Sequence, residues 1–268
     1  MKYGCCLNMI ASKSDKTGIE HLRRLAMSGY DYVELPLAEI MDLSESQFNT
    51  LIIDELERYN IQCEVCNNFF PGTIRLTGDD VDCQRIMDYV NRALNRAKSL
   101  GVQYVVFGSG KAKHVPDGYP LEKGYFQIVE LLKLIGPVAE SKGITIVIEP
   151  LRKEECNLIN TFEEGCRLAS DVNHKSVRVL VDFYHMTIEK EPLIHLEQKG
   201  REYLRHVHFA NPNGRVYPGT LQEADYIPFF QVLKKIGYNQ RISCEAYTDN
   251  YDISAGIALN ILKNSMNN

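Results

Sequence analysis

The stretch VRVLVDFYHM, residues 177–186, decides the fold. It reads as a buried strand that ends in an acid, Asp182, with His185 three residues further on. Strand alternation puts Leu180 and Asp182 on one face, Val179 and Val181 on the other. A run this apolar is covered on both faces, as strands of a parallel sheet are. Three further segments finish in the same way: 145–149 (TIVIE) in Glu149, 205–208 (RHVH) in His208 and 241–245 (RISCE) in Glu245. Each terminal residue shares a face with the residue two before it: Val147 with Glu149, His206 with His208, Ser243 with Glu245.

Outward from that stretch, strand-like and helix-like segments alternate along the whole chain. Strands are expected over 3–10, 30–37, 62–69, 103–107, 145–149, 177–182, 205–209 and 241–247. Helices are expected over 18–28, 44–59, 81–100, 125–141, 162–170, 193–204, 226–236 and 253–263. The second opens on Ser44-x-x-Gln47, the pattern of a capping box. Eight strand–helix units in 268 residues, with no linker or low-complexity break, give an α/β fold: a (β/α)8 TIM barrel in one domain over 1–268. A doubly wound open sheet is the rival, but the first strand leads into ASKSDKTG, with no GxGxxG fingerprint. In a barrel the last four strands are successive neighbours, so Glu149, Asp182, His208 and Glu245 meet at its C-terminal face, where barrel sites are built.

Composition narrows the partners. The net charge of −5 and pI of 5.8 offer no basic surface to nucleic acid or to an anionic membrane. No apolar run approaches the roughly 20 residues that span a bilayer, and residues 1–15 read as a first strand rather than a signal peptide. A cytoplasmic protein is expected. The eight cysteines show no disulfide framework. Cys63-x-x-Cys66 has zinc-knuckle spacing, but on a strand an offset of three sends the two thiols to opposite faces. All eight are expected to be reduced.

Three carboxylates and one imidazole form a mostly oxygen site for one divalent ion. It suits Mn²⁺, Mg²⁺ or Co²⁺, with Zn²⁺ open. Without cysteine ligands it is a catalytic rather than a structural arrangement. His206 lies one pleat deeper than His208, where neighbours hold it, so His208 is taken as the ligand. His185 in the loop over the site, Glu155 within EPLRKEECN and Arg215 within ANPNGRVYPG stand near enough to contact a substrate.

The segments VIEPLRKEECNLINT, VDFYHMTIEK, HVHFANPNGRVYPG and ISCEAY resemble the D-tagatose 3-epimerase / D-psicose (allulose) 3-epimerase group, within the xylose-isomerase-like TIM barrels. The likeness is close over the second half and mainly architectural over the first, apart from YVELPL and the strand holding Cys66. It implies a single Mn²⁺ or Co²⁺ held by Glu149, Asp182, His208 and Glu245, with Glu149 and Glu245 as the acid–base pair. It also implies substrate contacts from His185, Arg215 and Glu155, a sugar substrate, and a dimer or tetramer. Cys66 and Asn67 are expected to join the substrate pocket, beside Asn68, Phe69 and Phe70. The chain departs from the group in having no tryptophan, in GSGKAKHVPDGYP after the fourth strand, and in an Arg215 one residue further from His208.

The expected reaction is ketose 3-epimerisation: proton abstraction beside a carbonyl, through an enediolate. The same site also suits an aldose–ketose or keto-inositol isomerase, or a dehydratase or β-elimination lyase of a 3-keto sugar. A phosphorylated substrate is disfavoured by the acidic AYTDNYD after the eighth strand, although Lys111, Lys113 and Arg215 leave room for one anionic group. A DNA-repair endonuclease barrel would need a multi-zinc cluster and a basic groove, and strand-end histidines are too few here. The complete ligand set argues against a non-catalytic barrel.

Overall fold

The computed structural model describes residues 1–267. Eight parallel strands pair in chain order: β1 (Lys2–Cys6), β2 (Tyr32–Pro36), β3 (Gln62–Asn67), β4 (Tyr104–Phe107), β5 (Thr145–Ile148), β6 (Val177–Asp182), β7 (Leu204–Phe209) and β8 (Arg241–Cys244). β8 returns to β1 through Lys2 opposite Arg241 and Cys5 opposite Cys244, which closes the ring. Helices follow the strands around the outside, so the molecule is the expected (β/α)8 barrel.

Period-two alternation sorts the side chains into two cores. Tyr32, Val65, Val106, Val147 and Leu180 fill the barrel interior. Their neighbours in sequence, such as Val33, Ile146, Ile148, Val179 and Val181, pack outward into the layer shared with the helices. One pleat above the inner set come Glu34, Asn67, Glu149, Asp182, His208 and Glu245, all buried. At the opposite end Arg241 Nε reaches Glu64 Oε2 (2.6 Å) and its Nη2 reaches Gln103 Oε1 (2.9 Å), with Lys2 on the same Glu64. This polar plug closes the N-terminal end of the barrel. Gly4 is required for interior packing, because a Cβ there would lie 2.4 Å from the Tyr32 ring.

Three local readings change. The first strand stops at Cys6, and Leu7–Ile10 is a 3-10 turn over the barrel mouth. The helix expected from 125 starts at Leu121, just after Pro120, whose fixed φ suits a helix entrance. The β2–β3 register slips between Val33 (opposite Cys63) and Glu34 (opposite Val65), leaving Glu64 as the extra residue of a bulge. Cys63 and Cys66 therefore share the outer face, their sulfurs 3.9 Å apart, instead of pointing oppositely. All eight cysteines are free thiols. The capping box at Ser44 forms, with Gln47 N donating to Ser44 Oγ (3.2 Å) and Ser44 N to Gln47 Oε1 (3.0 Å). Among the described residues no helix is long and apolar enough to cross a membrane.

The Tyr32 ring cannot yield easily, since its hydroxyl pairs with Ser243 Oγ at 2.7 Å. Gly4→Ala should therefore cost about 1–3 kcal/mol in urea unfolding. A Tyr32→Leu change in the same chain should recover part of that loss, as contacting sites couple. An unchanged midpoint for Gly4→Ala would show that the interior has room for the methyl.

Candidate metal centre

The barrel delivers four ligand-type side chains to one point from four successive strands. Asp182 ends β6, His208 is the penultimate residue of β7, and Glu149 and Glu245 each stand one residue past β5 and β8. One ligand atom from each of the four lies within 4.8 Å of the others, and all four residues are buried. His208 Nδ1 sits between Glu149 Oε1 (2.9 Å) and Glu245 Oε2 (3.1 Å). Asp182 divides its oxygens: Oδ1 accepts from Tyr184 N (2.8 Å), capping helix Phe183–Ile188, and Oδ2 is left facing the cluster.

A residue that sequence reasoning missed orients the histidine. Glu34 of β2 is fully buried; its Oε1 accepts from His208 Nε2 (2.8 Å) and its Oε2 from His206 Nε2 (2.9 Å) and Ser243 Oγ (2.6 Å). With Nε2 donating to Glu34, loss of the ring's other proton would leave the Nδ1 lone pair to the cluster, the carboxylate–histidine arrangement that fixes a metal ligand's tautomer. His206 is held inside the barrel by this bond and by the stacked ring of Tyr104. The clue was present in YVELPL: a glutamate in phase with Tyr32, within a strand covered on both faces, has to find partners inside.

Negative charge is crowded at the site. Burial, together with Glu245 and Glu149, pushes the Asp182 carboxyl up to about 7. Burial and the nearby Glu245 also raise Glu149. Burial would raise Glu245 as well, but His208 and Arg215 outweigh it and hold Glu245 down to about 2. Burial likewise works against charge on His208, yet Glu245, Glu34 and Glu149 keep it well above its ordinary value. Counting Glu34, four carboxylates are gathered against two fixed cations, Arg215 and Lys113. Lys113 is 0% exposed and donates from Nζ to the Glu149 backbone carbonyl at 2.9 Å. A divalent cation would balance these charges in place of the proton on His208 Nδ1, and the donor set of carboxylate oxygens and imidazole fits one.

Around the cluster, the sequence-predicted residues separate. Arg215 Nη2 binds Glu245 Oε2 (2.5 Å) and approaches Asp182 Oδ2 (3.3 Å), while its Nε is buried without a partner. Its φ of 53°, after Gly214 at 86°, places two left-handed residues in the turn that carries it. His185 lies in helix Phe183–Ile188 rather than in a loop. Its Nδ1 accepts from Arg152 N (3.3 Å), and its Nε2 is a buried, unpartnered donor 3.5 Å from Asp182 Oδ2. Glu155 Oε1 is held by Arg152 Nε at 2.8 Å, and its carboxylate stands 4.0 Å from His185 and 3.8 Å from Arg215. Asn67 reaches the mouth, its Nδ2 on Asn8 Oδ1 (3.0 Å) and its Oδ1 buried without a partner. Cys66 does not: between the inward-facing Val65 and Asn67, its thiol lies in the outer layer against Cys63. Lys113, buried on Glu149, is likewise unavailable to an anionic substrate group.

The family described as xylose isomerase-like TIM barrel matches residues 22–264. The chain is 32% identical over 232 residues to the D-psicose 3-epimerase of Ruminiclostridium cellulolyticum, covering 85% of this chain and 77% of that protein. It is 27% identical over 231 residues to the L-ribulose 3-epimerase of Methylomonas sp., covering 83% and 76%. A crystal structure of D-psicose 3-epimerase in the presence of D-fructose superposes with a TM-score of 0.87 over 100% of both chains, at 19% identity, which speaks to the fold.

Two outcomes are expected of this centre. Adding Mn²⁺ should raise the melting temperature in a concentration-dependent way. Glu34→Gln should weaken Mn²⁺ binding about 10–100-fold in a chelator competition; unaltered affinity would deny Glu34 its orienting role. Asp182 is deprotonated above about 7, the form a cation needs. Affinity should therefore fall as the pH drops through about 7 and, because His208 also holds its proton above its ordinary range, keep rising at higher pH, as protons compete for both ligands.

Proposed function

Because the chain belongs to the xylose isomerase-like TIM barrel family, we propose that it is a sugar epimerase/isomerase: a ketose 3-epimerase dependent on one divalent metal ion, Mn²⁺ foremost. The observation that carries this reading is the convergence of Glu149 and Glu245, from β5 and β8, on one nitrogen of His208. Two carboxylates brought to one point from strands three apart suit a reaction that removes a proton and returns it to the other side. Relatives named L-ribulose 3-epimerase and D-psicose 3-epimerase support it.

Glu149, Asp182, His208 and Glu245 would hold the ion, which supplies Lewis acidity to a substrate carbonyl. The chain's own groups do the rest. One glutamate takes the proton from the carbon beside the carbonyl, and the other delivers one to the opposite face of the enediolate. Reversal exchanges their roles, as a reversible epimerisation demands. His185 Nε2 and Arg215 Nε, buried without partners, would donate to the oxygen on which negative charge develops. Glu155, steadied by Arg152, accepts from a neighbouring hydroxyl. Tyr184 lies beneath the guanidinium of Arg215, 4.9 Å from its ring centre, and keeps that group level.

With Mn²⁺ and free ketoses such as D-fructose or D-tagatose in D₂O, deuterium should enter at C3. Entry at C1 instead would redirect the assignment to aldose–ketose isomerisation. Glu245→Gln should lower kcat about 10²–10⁴-fold with metal content and melting curve retained; near wild-type turnover would remove Glu245 from proton transfer. Arg215→Lys, which keeps the charge but loses the planar fork, should reduce kcat/KM at least about tenfold.

A further inference from the structure

A cavity opens on the same barrel face as the cluster, over the strands that contribute none of the four ligands. It measures about 430 Å³ and is lined by Lys16 after β1, Glu39 and Asp42 after β2, Asn68 after β3, and Ser109 and Lys111 after β4, within the size range of small-molecule sites. It begins one residue from the cluster on two sides. Gly108, just before Ser109, is the residue against which Glu149 Oε2 rests, 2.2 Å from where a Cβ would be. Asn67, just before Asn68, carries the unpartnered Oδ1 at the mouth.

The walls are built rather than incidental. Asn68 and Ser109 are both held in left-handed backbone, at φ 49° and 41°, a conformation that costs a non-glycine residue about 1–3 kcal/mol. Hydrogen bonds between loops keep them there: Ala38 N to Asn68 O (3.0 Å) and Phe70 N to Ser109 Oγ (3.0 Å). Glu39 Oε2 is buried with no partner, and its other oxygen is only 3.5 Å from Asn68 Nδ2. The charges cancel, two lysines against two carboxylates, so the cavity has no positive field with which to select a phosphate. Carboxylates, ammonium groups, an amide and a hydroxyl in balance suit the many donors and acceptors of an uncharged polyhydroxylated group.

We propose that this cavity is a second sugar subsite, so that the substrate is a keto sugar bearing a further neutral, hydroxyl-rich unit, such as a glycosyl group, rather than a free ketose or a sugar phosphate. The proposal rests on the epimerase reading above for the end of the substrate that reacts. The reacting carbons occupy the cluster between β5 and β8, and the attached unit lies over β2–β4.

Two measurements on the Mn²⁺-loaded protein test it. One is binding of carbonyl-free disaccharides such as sucrose and trehalose, by calorimetry or saturation-transfer NMR, in wild type and in Glu39→Ala and Lys111→Ala. The other is kcat/KM for a glycosylated ketose (lactulose) and a 3-keto glucoside against D-fructose in the same proteins. The subsite predicts disaccharide binding that each variant weakens about tenfold, the loss of one charge-assisted hydrogen bond. It also predicts a preference for the extended substrate that falls by a similar factor. No disaccharide binding, binding indifferent to both variants, or a wild-type preference for free ketose would each overturn it. Variant-sensitive disaccharide binding without turnover of any carbonyl substrate would uphold the subsite and overturn the epimerase reading instead.

Discussion

Like charges crowd one point in the mouth of this barrel, and much of the surrounding structure exists to tolerate them. Glu149, Asp182 and Glu245 stand within hydrogen-bonding range of common partners, in a place where burial alone would drive each toward its neutral form. A buried carboxylate persists only with partners. Arg215 supplies one, Lys113 steadies the Glu149 main chain, Tyr184 N occupies one oxygen of Asp182, and Glu34 holds His208 from behind. The ring closure of the sheet matters for the same reason. In an open sheet the ends of β5 and β8 would be some three strand spacings apart, roughly 14 Å; in a closed barrel their side chains reach across the mouth to one another.

Much of this was legible in the sequence because strand phase is a hard rule. Once Val147, Leu180, His206 and Ser243 are assigned to the interior, the residue two places on must point inward one layer higher. Four segments obeyed that rule and ended in ligand-type residues. The barrel followed from eight alternating units, and the depth of His206 from its pairing phase with His208. The expected elements moved only at their ends, while short helices at Leu37–Met41, Gly110–Lys113 and Phe183–Ile188 were additions. Glu149 and Glu245 sit just beyond the ladders expected to include them, because strand pairing stops where the loops at the mouth begin.

What escaped the sequence was whatever depends on an irregularity or on contacts far along the chain. The bulge at Glu64 adds one residue to β3 and so reverses the parity on which the reading of Cys63 and Cys66 relied. Nothing local announces it; its cause is Glu64 itself, drawn inward to Lys2 and Arg241 at the base of the barrel. Lys113 looked like a loop lysine in GSGKAK, and only the fold shows its ammonium buried on the strand end that carries Glu149. His185 looked like a loop residue because the helix that bears it is a single short one capped by Asp182. Glu34 was the exception, readable from phase but overlooked among more conspicuous acids.

The ligand cluster hangs entirely on β5–β8, whereas the left-handed turns at Asn68 and Ser109 and the helix bearing Glu39 follow β2–β4. If the cavity over β2–β4 is a sugar subsite, the mouth of the barrel divides into a side that reacts and a side that recognises, with Glu34 and Gly108 of the second side touching the cluster. Lineages descending from such a scaffold can diversify in diet by rewriting three short loops while inheriting an unaltered reaction. Specificity in them would drift faster than chemistry.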